Sequence, residues 1–468
     1  MTDDGFGFHA VGAYAPRHRL PTTAIEEAWG SVDAPGIEQT AVPDADEDAL
    51  TMGWEAATRV LTAGDVDGAD VDWLAFATTT PPVEEEDLSA RLGSMLAVPA
   101  DASHHVFTGS TRAGTRALAA ALAARPHRGL LVVADCPLGE PHDGRGHTAG
   151  AGAAAYLVGP DASVRVADRA EYAEPYPGTR FRERGSTRVD GIDAGAYDRK
   201  AFVSPLAAAM RRVNADGVDA AALQMPDGKL PYRAASAAGL DTETVNAAAT
   251  VATLGDTGAA SVPLGVARAL ADGAERLLAA AWGSGAGADA FVLERVEPVA
   301  TALTLDRGET VSYADSLRLR GEITAEEPDG GGAYVSVPTW QRSLPQRHRL
   351  VAGRCPDCEA YTFPPEGACR GCNRLVAFES VELPGTGTVE ARTEIGQGGA
   401  PPEFAELQSR SGAFGVCVVA LDTPDGKTVS APAMAIAEVE VSDRVETVQR
   451  RIYTQEGVTR YGFKIRLS

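Results

Sequence analysis

Lysine is nearly absent. Only Lys200, Lys229, Lys427 and Lys464 occur among 468 residues, and arginine supplies almost all the other positive charge. Acids outnumber bases 65 to 42, a net charge of −23. A field of that sign repels phosphate backbones, which excludes nucleic acid as a partner. The acids are spread along the chain rather than gathered in a tail. Such dense surface carboxylate predicts a halophilic protein, kept hydrated in a high-salt cytoplasm; a high-GC genome is the other source of the same bias. No apolar run approaches the roughly 18 residues of a membrane helix. Asp3 and Asp4 stand where a secretory signal would be basic and then apolar, so a cytoplasmic location and no membrane partner are expected. Cysteine is also scarce: of six, only Cys136 and Cys417 are isolated, and the other four lie within residues 355–372. A disulfide framework would spread its cysteines through a small secreted chain, whereas clustering points to metal.

The length predicts two or three domains, each able to bury a core. Over the first 300 residues, short apolar runs alternate with alanine-rich helical ones. Trp73–Ala77, Gly129–Ala134 and Ala151–Val158 read as buried strands, with a helix over Thr111–Ala124. The pattern recurs as a helix over Phe202–Val213, a strand over Ala220–Leu223, a helix over Thr257–Ala271, and strands over Leu277–Trp282 and Ala290–Leu293. Two α/β halves of similar size imply a duplicated, layered α/β domain. The acidic, glycine-rich stretch over 326–332 has the composition of a linker. Five short β-type runs follow, at Gly385–Ile395, Gly415–Leu421, Thr428–Ile436, Arg444–Tyr453 and Thr459–Arg466. Gly, Pro and Asp turns separate them, as in a small OB-type barrel.

Cys355-Pro-Asp-Cys358 and Cys369-Arg-Gly-Cys372 are two C-x-x-C turns ten residues apart. Each turn brings two thiolates to one ion, and the pair completes a tetrahedral S4 set suited to Zn²⁺, with iron second. Four protein ligands leave no open position, so the metal is expected to be structural.

Two resemblances build on these readings. Val337-Pro338-Thr339-Trp340, Arg347-His348-Arg349-Leu350, the cysteine turns and the closing Arg460-Tyr461-Gly462-Phe463-Lys464-Ile465-Arg466 resemble the zinc-ribbon/OB-fold proteins that accompany thiolases and related acyl-CoA enzymes. That similarity covers residues 335–468. The first 323 residues resemble archaeal-type 3-hydroxy-3-methylglutaryl-CoA synthases of the thiolase superfamily. The matching segments are Val42-Pro43-Asp44 with the acidic run to Met52, Ala113-Gly114-Thr115, Pro226 to Pro231, Gly255-Asp256-Thr257-Gly258, Gly283 to Phe291, and Tyr313-Ala314-Asp315 with Arg318 to Gly321.

The resemblances imply a thiolase-like N-terminal half over 1–165 and a C-terminal half over 166–323. They further imply a linker over 324–335, a helix and rubredoxin-like zinc ribbon over 336–378, and an OB-fold over 379–468. They imply an acyl-CoA thioester as ligand or substrate, a homodimer, and a separate thiolase or related acyl-CoA enzyme as a possible partner. Lys229, Gly283, Ser284 and Gly285 match positions that face coenzyme A.

The synthases need a cysteine nucleophile at a helix start, a histidine for the second substrate and a glutamate acid/base. The matching positions here are Thr111, Gln224 and Thr79, and the helix-start asparagine matches Asp256. Three departures in register predict that the ancestral condensation is gone. Asp256 reads either as a helix cap or as a general base. Cys136 reads as a packed core thiol, and His104, His105 and His147 as solvated or structural histidines. Three functions stay open: a non-catalytic acyl-CoA-binding scaffold; a thiolase-like aldolase or lyase, which needs a base and an enolate hole but no thiolate; and a condensing acyltransferase.

Overall fold

The computed structural model describes residues 5–192, 195–323, 337–396, 401–455 and 458–468. The expected linker at 324–335 lies outside the described residues. Contacts divide the chain into two units: residues 1–44, 48–93 and 97–317, and residues 45–47, 94–96 and 318–468.

Ten strands of the first unit belong to one hydrogen-bonded network. They are β1 (Gly7–Tyr14), β2 (Trp73–Ala77), β3 (Ser103–Phe107), β4 (Gly129–Asp135), β5 (Gly152–Gly159), β6 (Val164–Ala173), β7 (Ala220–Leu223), β8 (Arg276–Gly283), β9 (Gly287–Arg295) and β10 (Ala300–Thr304). Their order is β3-β2-β4-β5-β1-β6-β9-β8-β7, with β10 parallel to β1. The central strands are buried along their whole length, so they read as continuous runs of small and branched residues rather than as alternation.

This path contains a duplication. β2 pairs parallel to β4, β4 antiparallel to β5, and β5 antiparallel to β1. In the same way β7 pairs parallel to β8, β8 antiparallel to β9, and β9 antiparallel to β6. Among the described residues, β3 has no counterpart in the second set. The helix before β4 (Ala113–Ala124) corresponds to the helix before β8 (Ser261–Ala271). Both contribute alanines and leucines to one core, and Gly114 permits contact with Pro263: a Cβ there would stand 3.2 Å from its ring. The fold is a duplicated thiolase-type layered α/β fold.

Three helices differ from expectation at their ends. The first begins at Ala113, two residues late, because Thr111 and Arg112 lie in the turn ahead of it. The expected Thr257–Ala271 helix starts as a 3₁₀ turn, Gly258–Ala260, since Gly258 has φ +55° and α-helical geometry begins only at Ser261. The expected Phe202–Val213 helix is a π-helical turn, Arg199–Val203, followed by an α-helix over Ser204–Met210.

In the second unit, the helix Val337–Arg349 leads into a three-stranded sheet with Val351–Arg354 between Tyr361–Thr362 and Glu379–Glu382. A closed five-stranded barrel follows, in the order Thr386–Ile395, Phe414–Asp422, Thr428–Ala435, Val458–Leu467, Arg444–Gln455. All five expected strands are present within two residues at each end. Val389, Val419, Leu421, Val445 and Ile465 fill the barrel. Within this unit Lys464 is buried and its ammonium contacts Asp46 at 2.6 Å. No described helix is long and apolar enough to cross a membrane.

Candidate functional site

Three of the four positions matched to the synthase residues, Gln224, Asp256 and, through Asp135, Thr79, gather around the Gly258 and Ala259 peptides. Gln224 follows β7 and is buried, and its Nε2 donates to the Gly258 carbonyl at 2.7 Å. The Gly258 N–H donates to Asp256 Oδ1 at 2.9 Å. The next N–H, of Ala259, donates to Asp135 Oδ2 at 2.6 Å. Glycine is required here: a Cβ at 258 would lie 2.2 Å from Asp135 Oδ2.

Asp135 ends β4 and is fully buried. It is the residue around which the Thr78-Thr79-Thr80 run folds. Its Oδ1 accepts from Thr78 Oγ1 at 2.8 Å, Thr79 N at 2.6 Å, and the Thr80 N and Oγ1 at 3.1 Å. Its Oδ2 accepts from Thr79 Oγ1 at 2.6 Å. Thr79, the glutamate-matched position, thus holds a carboxylate instead of supplying one. Thr111 is buried, and its hydroxyl donates to the Trp282 carbonyl. Each of the three matched side chains is engaged by a carbonyl or carboxylate of the protein.

Two arginines, which sequence reasoning missed, join this cluster from the segment after β6. Arg180 pairs with Asp256. Burial pushes the Asp256 carboxyl above the usual carboxylate range, and the Arg180 guanidinium and the Gly258 N–H oppose that shift without cancelling it. The side chain does receive an N–H two residues on, as a cap would, but the Arg180 pair goes beyond the cap reading. Arg182 donates to the Thr79 carbonyl; burial lowers its pKa against the opposing charge of Asp135.

Cys136 is half-buried rather than packed in the core, because it sits just past the end of β4; its N–H donates to Thr80 Oγ1 at 2.9 Å. His147 is buried, and its Nδ1 accepts from the Asp33 N–H at 3.1 Å. His104 lies against the carbonyls of Ser89 and Pro99, and His105 stacks 5.2 Å from Trp73, so neither histidine enters the cluster by these contacts.

The glycine loop between β8 and β9 is cut to fit Arg112. A Cβ on Gly287 would meet Arg112 Nη1 at 1.9 Å, and one on Gly283 would meet Ser110 Oγ at 2.1 Å. Arg112 Nε reaches Asp289 Oδ2 at 3.0 Å, and Thr115 Oγ1 shares that oxygen at 2.7 Å. Ser284 Oγ accepts from the Arg180 N–H at 3.1 Å, which ties the loop to the arginine segment. Gly285 has φ +110°, a conformation open to glycine. Lys229 is exposed, just ahead of the helix Leu230–Ala238.

The second candidate is a metal centre. The Sγ atoms of Cys355, Cys358, Cys369 and Cys372 lie within 4.8 Å of one another. Cys355 and Cys372 are 3.9 Å apart, Cys358 and Cys369 3.5 Å. A tetrahedral ZnS4 set with bonds near 2.3 Å has edges of about 3.8 Å, so the thiols fit one Zn²⁺. These separations are too long for disulfides. Gly371 N–H donates to Cys369 Sγ at 3.3 Å, the kind of bond that stabilises a thiolate ligand.

The ChsH2 rubredoxin-like zinc ribbon family matches residues 342–375. The hydroxymethylglutaryl-CoA synthase of Thermococcus gammatolerans is 30% identical over 307 residues, 61% of this chain and 85% of the relative. The chain belongs to the hydroxymethylglutaryl-CoA synthase family. The synthase of Methanopyrus kandleri is likewise 30% identical, over 63% of this chain and 89% of its own length. Among solved structures, an HMG-CoA synthase complexed with CoA aligns with a TM-score of 0.60 at 18% identity, covering 71% of this chain and 94% of that one. The 3-oxoacyl-[acyl-carrier-protein] synthase III of Aquifex aeolicus aligns at 0.56 and 18%, over 62% and 100%. In this member of the synthase family, a zinc ribbon and a closed barrel follow the condensing fold in one chain.

Proposed function

We propose that this chain is an acyl-CoA-binding member of the synthase family that no longer forms the covalent acyl-enzyme. It acts as a scaffold or subunit in cytoplasmic acyl-CoA metabolism. One observation carries the reading: Thr111, Gln224 and Thr79 replace thiol, imidazole and carboxylate, and each is bonded inside the protein. Neither an aliphatic hydroxyl nor an amide ionises near neutral pH, so neither serves there as a general acid or base. Lys229 and the Gly283-Ser284-Gly285 loop are the proposed coenzyme A contacts, and the unit over 1–323 is proposed to dimerise. Cys355, Cys358, Cys369 and Cys372 are proposed to hold a structural Zn²⁺ that orders the ribbon, through which a separate thiolase would dock. The test is incubation with radiolabelled acetyl-CoA, quenching and a search for protein-bound label. No label, together with measurable acyl-CoA binding, supports the reading; stoichiometric label on any residue overturns it.

A second reading, carbon–carbon cleavage of a 3-hydroxyacyl-CoA, is favoured by Asp256 alone. Its raised pKa suits a general base, whereas the Arg180 pair works against that role. Cleavage activity that vanishes in Asp256→Asn would select it.

A further inference from the structure

Gln224 keeps an unmet acceptor beside the Gly258 peptide. The Gly258 carbonyl can only accept, so the amide nitrogen must face it and the orientation of the side chain is fixed. That leaves Gln224 Oε1 buried and, among the described residues, without a hydrogen-bond partner. Buried acceptors are rarely left so, and those that are call for a partner the chain does not supply. On the other side of the same peptide, one arm of the Arg180 guanidinium holds Asp256. Its Nη2 is buried and has no acceptor among the described residues. Thr111 and Thr79 donate their hydroxyl protons to the Trp282 carbonyl and to Asp135, so only lone pairs remain on them. The Thr257 hydroxyl, buried and likewise unpartnered, can donate or accept and so discriminates nothing.

On the acyl-CoA reading above, we infer that Gln224 is a specificity-determining residue that selects an acyl group bearing a hydroxyl. The hydroxyl gives Oε1 the donor it lacks, and Arg180 Nη2 donates to the thioester carbonyl. A ligand carbonyl set against Oε1 would bring two acceptors together and leave both unmet. Gln224 and Arg180 flank a single peptide, so the hydroxyl stands close to the thioester along the acyl chain, as it does at C3. The ligand class is a 3-hydroxyacyl-CoA, and a 3-oxoacyl-CoA is disfavoured.

Calorimetry on the full chain in molar KCl compares the two enantiomers of 3-hydroxybutyryl-CoA with acetoacetyl-CoA and butyryl-CoA. These ligands share coenzyme A and chain length and differ only at C3. The better-bound hydroxy enantiomer should bind roughly tenfold or more tightly than acetoacetyl-CoA or butyryl-CoA, because only a hydroxyl can donate to Oε1. Gln224→Met keeps the length of the side chain and removes the strong acceptor, and the preference should shrink to about twofold or less. If that variant does not fold, Gln224→Leu carries the same expectation. A wild type that binds all the ligands equally, or prefers acetoacetyl-CoA or butyryl-CoA, overturns the inference without any variant and leaves the acyl-CoA reading standing. A preference that survives in the variant also overturns it. Failure of every thioester to bind overturns the acyl-CoA reading and the inference with it.

Discussion

Gln224 and Gly258 are joined by a 2.7 Å hydrogen bond from side-chain amide to backbone carbonyl. The bond aims the amide at the protein's own backbone, at the position where the synthases carry an imidazole for substrate. Gln224→Ala would remove one of two donors to that carbonyl, which also accepts the Ser261 N–H. The expected cost is about 1 kcal/mol of folding stability, read from urea unfolding. Because the residue is assigned no proton-transfer role, the labelling result with acetyl-CoA should be the same before and after the change.

Asp135 is an acceptor for six donors, including the N–H groups of Thr79, Thr80 and Ala259. Asp135→Asn turns one acceptor oxygen into an NH₂ that faces other donors. A loss of roughly 2 kcal/mol or more is expected by chemical denaturation. Gly258→Ala should be at least as damaging, since it combines a 2.2 Å clash with a left-handed φ of +55°. An Asp135→Asn protein as stable as wild type would show that the threonine run is held by something else.

Purified chain should contain close to one equivalent of zinc, and Cys358→Ser should bind none. Elemental analysis checks both. Chelation should abolish a separate unfolding transition assigned to the ribbon, because the ribbon's three strands bury too little apolar surface to order themselves without the metal. An unchanged melting curve after complete metal removal would refute the structural role.

Burial lowers the His147 pKa below its usual 6.5. The unfolded chain therefore takes up a proton near that value while the folded chain does not. Stability contributed by neutral His147 is present above pH 6.5 and is lost as pH falls from there through the folded pKa. His147→Gln should flatten the stability profile between about pH 7 and 5 relative to wild type. Parallel profiles would show that the imidazole does not titrate with unfolding.

The charge of −23 makes a further demand on solvent. Repulsion between surface carboxylates reaches about 10 Å in 0.1 M salt and about 3 Å in 1 M. The melting temperature should climb from dilute buffer to molar KCl. A flat response would leave base composition of the genome as the explanation for the acids.

What was legible in the sequence divides along physical lines. The four cysteines name their own partners, because a C-x-x-C turn is a local object, and the barrel strands are bounded by turn residues that act within a few positions. The synthase-like segments placed Thr79, Thr111, Gln224 and Asp256, and the structure brings Thr79, Gln224 and Asp256 around the Gly258 and Ala259 peptides. Asp135 lay one residue beyond the expected strand Gly129–Ala134 and was not singled out. Its partners lie 55 to 124 positions away, and no periodicity reports a distance of that kind. Arg180 and Arg182 were invisible for a further reason: most of 174–192 is irregular in structure, so nothing in its pattern says which way its side chains turn. The α-helical starts fall two residues late at Ala113 and Ser204 and four late at Ser261, where a tight turn, a π-helical turn and a 3₁₀ turn come first.

The missing counterpart of β3 bears on how the molecule stays soluble when crowded. Without it, the second half of the network ends on β7, only four residues long and built of Ala220, Ala221, Ala222 and Leu223. A row of open backbone groups is a template on which a foreign strand can nucleate, and the risk grows with the length of the row. Four residues offer few bonds and little side-chain grip. At this end the chain guards against templated aggregation by brevity and by cover, since all four residues are buried and the helix Thr242–Asn246 packs against the strand.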